Sequence, residues 1–196
     1  MTFRLGLTGS IGMGKSTTAQ LFAEAGCPVW DADAAVHRLY SRDGAAVEPI
    51  RQAFPDAVIS GAVDRARLRQ IIARDPQALA RIEAIVHPLV AQERERFLAE
   101  QLADVTVLDI PLLFETGARG FDAIVVVSAP PETQRNRVLA RGTMSDVDFE
   151  TVQARQMPDA EKRTRADYVI ETDTLEHARE QVQAVLADIK RRMTDA

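Results

Sequence analysis

The sequence predicts an α/β fold, a five-stranded parallel sheet flanked by helices, and three observations carry that prediction. Short apolar runs rich in β-branched residues recur at Phe3–Thr8, Pro28–Trp30, Val105–Ile110, Ala123–Val127 and Tyr168–Ile170, the pattern of strands buried on both faces. Stretches with helical spacing separate these runs, so the strands run parallel under helical cover. Between the first strand and the first helix stands Gly9-Ser10-Ile11-Gly12-Met13-Gly14-Lys15-Ser16, which satisfies G-x-x-x-x-G-K-[ST] in the strand-loop-helix setting that the motif demands. The fold expected is therefore that of the P-loop NTPases, with a helical lobe inserted into it and a helical lid.

The loop explains itself residue by residue. Its glycines let backbone N–H groups crowd toward a polyphosphate, and the helix start adds partial positive charge. Lys15 reaches the terminal phosphates, while Ser16 offers a hydroxyl to Mg2+. The helix that follows, Thr17 to Ala25, sets Thr18, Leu21, Phe22 and Ala25 on one face, and Gly26 and Pro28 end it.

The second strand closes at Asp31-Ala32-Asp33, two carboxylates at the end where open α/β sheets bind ligands. From there to about Ala103 the pattern is helical: Val36, Leu39 and Tyr40; Val47, Ile50 and Phe54; then Leu68, Ile71 and Ile72 behind an Asp64 cap. Asp75-Pro76 reads as an N-cap with proline in the first turn, ahead of Leu79, Ile82, Val86 and Leu89. Pro88 predicts a kink or break beside His87. About 70 residues thus separate strands two and three, far more than a crossover needs, which predicts an inserted lobe at the sheet's edge. After the fourth strand, Pro130-Pro131 opens a helix to about Arg141, Gly142 breaks it, and Ser145 with Asp148 starts a helix to Met157. Thr174 caps a last helix carrying Leu175, Ala178, Val182, Val185, Ile189 and Met193. The division expected is one domain over residues 1–196, with a core of 1–33, 104–130 and 166–196, a lobe of 34–103 and a lid of 131–165.

Composition narrows the function. A net charge of −5 over 196 residues argues against coating a nucleic acid, which needs clustered excess Lys and Arg. Cys27 is the only cysteine; no intrachain disulfide or zinc cluster can form, and a packed thiol in a reducing compartment is expected. No charged leader precedes an apolar run, and nothing approaches the roughly 20 apolar residues of a membrane span. These features predict a cytoplasmic protein.

Four constellations bear on chemistry. Asp33 is placed to accept a hydroxyl proton in phosphoryl transfer, whereas Asp31 reads equally as the cap of the next helix. Asp109 ends an apolar strand where an acid supports Mg2+, with a polar strand terminus as the plain alternative; Glu115 carries a weaker signal. Arg135, Arg137, Arg141, Arg155, Lys162, Arg163 and Arg165 are interleaved with acids, which suits either a solvated surface or a lid whose guanidinium forks close on ATP phosphates. Arg137 and Arg141 share a helical face. His37, His87 and His177 lack metal-ligand spacing, and only His87, beside a proline, suggests a site.

The sequence resembles the dephospho-CoA kinase family along essentially its whole length. The resemblance rests on Gly6–Thr17, Asp31-Ala32-Asp33, Asp64-Arg65 with Leu68, His87-Pro88, Pro111-Leu112-Leu113-Phe114-Glu115, Gln156 and Ala166-Asp167-Tyr168-Val169-Ile170. It implies phosphorylation of the ribose 3′-hydroxyl of dephospho-CoA by ATP with Mg2+. It further implies a nucleotide core, a lobe holding the CoA precursor, and a lid. Carried over, Ser10, Ile11, Gly12, Met13, Gly14, Lys15, Ser16 and Thr17 bind ATP phosphates with Arg137, and Asp33, Lys15 and Arg141 are catalytic. Asp33, Arg65, His87 and Leu113 bind the acceptor, and Ser16 and Asp109 serve the metal. One departure stands out: Thr172 occupies the place of a family asparagine, so an amide contact to adenine is lost or replaced.

Two rivals share parts of this pattern. Another small-molecule kinase, acting on a nucleoside, shikimate or a sugar acid, would differ chiefly in the inserted lobe. A GTPase-type switch would require an Asn-Lys-x-Asp run, which the sequence lacks.

Overall fold

The computed structural model describes residues 2–195. In chain order the elements begin with β1 (Phe3–Thr8), α1 (Lys15–Glu24), β2 (Val29–Asp31), α2 (Ala32–Tyr40), α3 (Val47–Ala53) and a 3-10 turn at Pro55–Ala57. There follow β3 (Val58–Ile59), β4 (Ala62–Val63), α4 (Arg65–Arg74), α5 (Ala78–Ala99), β5 (Val105–Asp109) and β6 (Ala123–Ser128). The chain ends with α6 (Pro131–Ala140), α7 (Asp146–Ala154), α8 (Asp159–Arg165), β7 (Tyr168–Glu171) and α9 (Leu175–Thr194). They form two units, one reaching to Trp30 and resuming at Gln101, the other spanning Asp31–Glu100.

The first unit holds the expected five-stranded sheet, in the order β2-β5-β1-β6-β7. β1 is central and parallel to both neighbours, with Leu5 opposite Val107 on one side and Ala123 on the other. Every residue of β5 is buried, as a continuous apolar run requires of a strand covered on both faces. Leu5, Leu7, Phe22, Val107, Val125, Ile170, Val182 and Ile189 are the middle of the core. The stripe on α9, Ala178, Val182, Val185, Leu186 and Ile189, is buried at helical period, and the Thr174 hydroxyl caps it by accepting from the His177 N–H at 3.1 Å. Cys27 is buried, and burial raises its thiol pKa.

The second unit packs α2 to α5 around Leu39, Ile50, Phe54, Leu68, Ile82 and Val86. Asp31 caps α2 by accepting the Ala34 N–H at 2.9 Å, and Asp64 caps α4 through Arg67 at the same distance. Three expectations are corrected here. The segment is not wholly helical: β3 and β4 make an antiparallel hairpin, turned by Ser60 and Gly61 with φ of 50° and 81°, the paired left-handed residues of a tight hairpin turn. Asp75 does not cap α5; its carboxylate accepts the Gln77 N–H at 2.8 Å and the helix begins at Ala78. Finally, of the kink or break expected at Pro88, the break does not occur: α5 continues through it. Pro88 and Ala84 are both exposed, so the turn that lacks the proline N–H lies on the solvent side of the helix.

After β6, Pro131 opens α6 as its first residue, and the Ser145–Asp148 capping box starts α7, which stops at Ala154 and not Met157. The sequence reading did not foresee α8. Its one buried residue is Lys162, so it carries no apolar stripe to detect. No helix among the described residues is long and apolar enough to cross a membrane.

Candidate active site

The loop between β1 and α1 adopts the geometry that its residue types allow. Gly12 and Gly14 have φ of 77° and 89°, and Gly14 is the N-cap of α1 in the left-handed region, where a side chain is strained. The first helical bond of α1 runs from the Thr18 N–H to the Gly14 carbonyl at 3.0 Å. The amides of Lys15, Ser16 and Thr17 therefore precede it and face outward as donors for an anion. Ser16 and Thr17 are exposed, whereas Met13 is buried and its thioether sulfur accepts the Ala129 N–H at 3.1 Å.

β5 brings Asp109 to this loop. Its carboxylate is ion-paired with the Lys15 ammonium, and the side chains are 4% and 17% exposed respectively. The Mg2+ candidates Ser16 and Asp109 thus lie at one loop, with Lys15 as Asp109's partner in this state. Among the described residues no group of three or more His, Cys, Asp or Glu could hold a metal by itself. Leu113, beyond β5, is 1% exposed, and its Cδ1 would lie 3.0 Å from a Cβ on Gly6. It is buried against Gly6 of β1.

The arginine series separates into two kinds. Arg135 pairs with Asp146 at 2.7 Å, and Arg163 with Glu171 at 3.1 Å, with Arg165 beside Glu161; these are surface pairs. Arg137 instead donates to the Thr172 hydroxyl at 2.8 Å and to the Thr172 carbonyl. Thr172 is buried, and its hydroxyl donates to the Met13 carbonyl at 2.7 Å. The threonine that stands in the place of an amide therefore ties the phosphate loop to α6. Arg141 is exposed at the C-cap of α6, one turn beyond Arg137.

Sequence reasoning missed Gln134 and Gln153, which belong to a set of polar side chains around the loop. Gln134, 2% exposed, donates to the Ile11 carbonyl at 2.7 Å and accepts from Gln153 at 3.2 Å. Gln156 accepts the Ile11 N–H at 3.0 Å. Glu115 accepts the Met157 N–H at 2.8 Å and pairs with the fully buried Lys162 at 2.9 Å. Burial by itself would raise the Glu115 pKa, but the Lys162 ammonium and the Met157 N–H outweigh it and hold the carboxyl below its ordinary value. Ser10, Met13 and the three glutamines line a cavity of about 420 Å³ bounded by Met157 and Asp159. Of this set, Gln156 and Glu115 gave a signal in the sequence, through the family resemblance, and Lys162 stood in the basic series; Gln134 and Gln153 gave none.

The remaining candidates lie in the second unit. Asp33 is exposed in the first turn of α2. Arg65 begins α4 with its guanidinium 5.6 Å from the Tyr40 ring centre, and His87 is exposed on α5. His177 is paired with Asp173 at 2.7 Å in the first unit.

Comparison with known proteins bears on what this arrangement serves. A family model described as dephospho-CoA kinase matches residues 3–177. The dephospho-CoA kinase of Ruegeria pomeroyi is 64% identical over 191 residues, 97% of each chain. The crystal structure of TT1252 from Thermus thermophilus superposes with a TM-score of 0.85 at 38% identity, covering 95% of this chain and 97% of that one. The dephospho-CoA kinase from Campylobacter jejuni gives 0.65 at 21% identity, over 96% and 97%, a likeness of fold.

Proposed function

The chain belongs to the dephospho-CoA kinase family, and from that premise we propose that it transfers the γ-phosphoryl group of ATP to the ribose 3′-hydroxyl of dephospho-CoA, giving coenzyme A and ADP. The observation that carries the reading is the loop before α1, where a left-handed Gly14 opens a row of amides and Lys15 stands beside Asp109. A loop of this kind grips a nucleoside triphosphate and does little covalent chemistry itself.

In this reading residues 1–33, 104–130 and 166–196 form the nucleotide core, residues 34–103 hold the acceptor, and residues 131–165 are a lid. The amides from Gly12 to Thr17, with Ser10 and Ile11 shaping the loop, bind the β- and γ-phosphates together with Lys15. Asp33 accepts the proton of the 3′-hydroxyl as its oxygen bonds to phosphorus, and the bond from the γ-phosphorus to the bridging oxygen breaks to release ADP. Arg65 and His87 hold the anionic acceptor; Leu113, expected among its contacts, is 1% exposed against Gly6 and reaches it only if the segment after β5 shifts. Arg137 and Arg141 present guanidinium groups to the phosphates, where planar forks suit charge spread over several oxygens. Closing residues 131–165 over the reactants keeps water from taking the phosphoryl group.

The donor set suits Mg2+. The Ser16 hydroxyl and the Asp109 carboxylate are hard oxygen ligands, and a magnesium ion in such sites keeps water and phosphate oxygens for the rest of its shell. When bound, it neutralises charge on the transferring group. The cytoplasm, where ATP is plentiful, is the compartment this activity suits.

Incubation with MgATP and a panel of dephospho-CoA, adenosine, shikimate and gluconate tests the proposal. ADP release with dephospho-CoA alone is expected, and turnover restricted to another acceptor refutes it.

A further inference from the structure

We propose that Gln134 is a positioning residue for the phosphate loop: by holding the Ile11 carbonyl it sets the direction in which the Gly12 N–H points. The inference rests on the reading of the loop as the ATP phosphate site. Ile11 C=O and Gly12 N–H belong to one peptide unit, and in a planar trans peptide they point in opposite directions. Pinning the carbonyl at 2.7 Å therefore aims the amide away from α6.

The clamp's polarity is fixed by chemistry. A carbonyl only accepts, so Gln134 must turn its NH2 toward Ile11, which leaves its own oxygen to accept from Gln153 at 3.2 Å. The preceding peptide is held too, since the Ile11 N–H goes to Gln156 at 3.0 Å. Ile11 is thus gripped on both backbone groups by side chains from residues 131–165, and its N–H is committed before any phosphate arrives.

Gly12 is where such a grip matters. With φ of 77° and no side chain, its leading peptide can rotate between orientations at little cost. The space that a Cβ there would need is taken by Val138 Cγ2 at 2.6 Å and the Gln134 carbonyl at 2.8 Å, so α6 backs directly onto the loop. Gln134 is 2% exposed, and its amide is held at both ends by Ile11 and Gln153.

The test measures MgATP binding calorimetrically, together with kcat and KM for both substrates, on the full chain carrying Gln134→Leu or Gln134→Glu. Gln134→Leu is expected to weaken MgATP binding about 3- to 10-fold, the size of one hydrogen bond, with the KM for dephospho-CoA within about twofold of the parent. Gln134→Glu lacks the donor when ionised but regains an O–H when neutral, and burial raises its titration range. Relative to the parent at each pH, its MgATP affinity is expected to be low near pH 8 and to recover near pH 6. A Gln134→Leu protein that binds MgATP like the parent, or loses affinity for both substrates equally, overturns the inference. If Gln134→Leu fails to fold by circular dichroism, Gln134→Glu decides: pH-independent binding overturns the inference. A parent chain that does not bind MgATP at all would overturn the kinase reading itself.

Discussion

Lys15 and Asp109 form an ion pair in which the carboxylate is 4% and the ammonium 17% exposed, so the residue that would meet the terminal phosphates is also the counter-charge of a buried acid. Removing the lysine has two separable consequences. Lys15→Ala is expected to reduce ADP formation to background. It is also expected to lower stability by about 3 kcal/mol, because a buried carboxylate loses the ammonium that balances its charge. Adding Asp109→Ala should restore the urea midpoint while leaving activity absent; a single variant as stable as the double would remove the coupling.

Asp31 and Asp33 sit two residues apart and are expected to respond differently. Asp33 is exposed with no capping role, and Asp33→Asn is expected to lower kcat by about 100-fold, the scale of a general base, with MgATP affinity unchanged. Asp31 accepts the Ala34 N–H, so Asp31→Ala is expected to cost about 1 kcal/mol of stability, read from chemical denaturation. Unaltered turnover in Asp33→Asn would return that acid to the solvated surface.

Thr172 links Arg137 to the Met13 carbonyl. Thr172→Val preserves shape and deletes both bonds, leaving a buried carbonyl without its donor. A loss of about 1–3 kcal/mol in stability is expected, with a several-fold rise in KM for MgATP and a steady KM for dephospho-CoA. Equal changes in the two KM values would show that Thr172 does not act on the nucleotide side.

Glu115 supplies a pH test. Its folded pKa lies below the ordinary 4.5 because Lys162 and the Met157 N–H favour the carboxylate against burial. A depressed carboxylate stabilises the fold fully above its unfolded pKa, and the contribution is lost as pH falls through the folded value. The stability gap between the parent and Glu115→Gln is therefore expected to be constant at neutral pH and to shrink below about pH 4.5. A gap that widens in acid would reverse the assignment.

Much of this was legible in the residues because local chemistry governs it. The glycine offsets of Gly9–Ser16 dictate the loop, β-branched runs dictate β5 and β6, and the caps Asp31, Asp64, Ser145 and Thr174 perform as their types require. What escaped depends on distant partners. Helix α8 is anchored by Lys162 on Glu115, 47 positions earlier in the sequence, and has no apolar period. The hairpin at Val58–Val63 is too short to alternate. Gln134 and Gln153 read as ordinary polar residues until folding sets Gln134 against Ile11 and Gln153 against Gln134. Pro88 does not end its helix, because a long helix continues on both sides of it and the loss is confined to one turn.

The central claim is that this chain phosphorylates one particular hydroxyl. Reacting it with MgATP and dephospho-CoA, then examining the product by mass and by phosphorus NMR, tests that directly. The account predicts one ADP per added phosphoryl group and a new phosphomonoester on the ribose 3′-oxygen. ADP formed without any phosphorylated acceptor, or a phosphoryl group on a different oxygen, would contradict it.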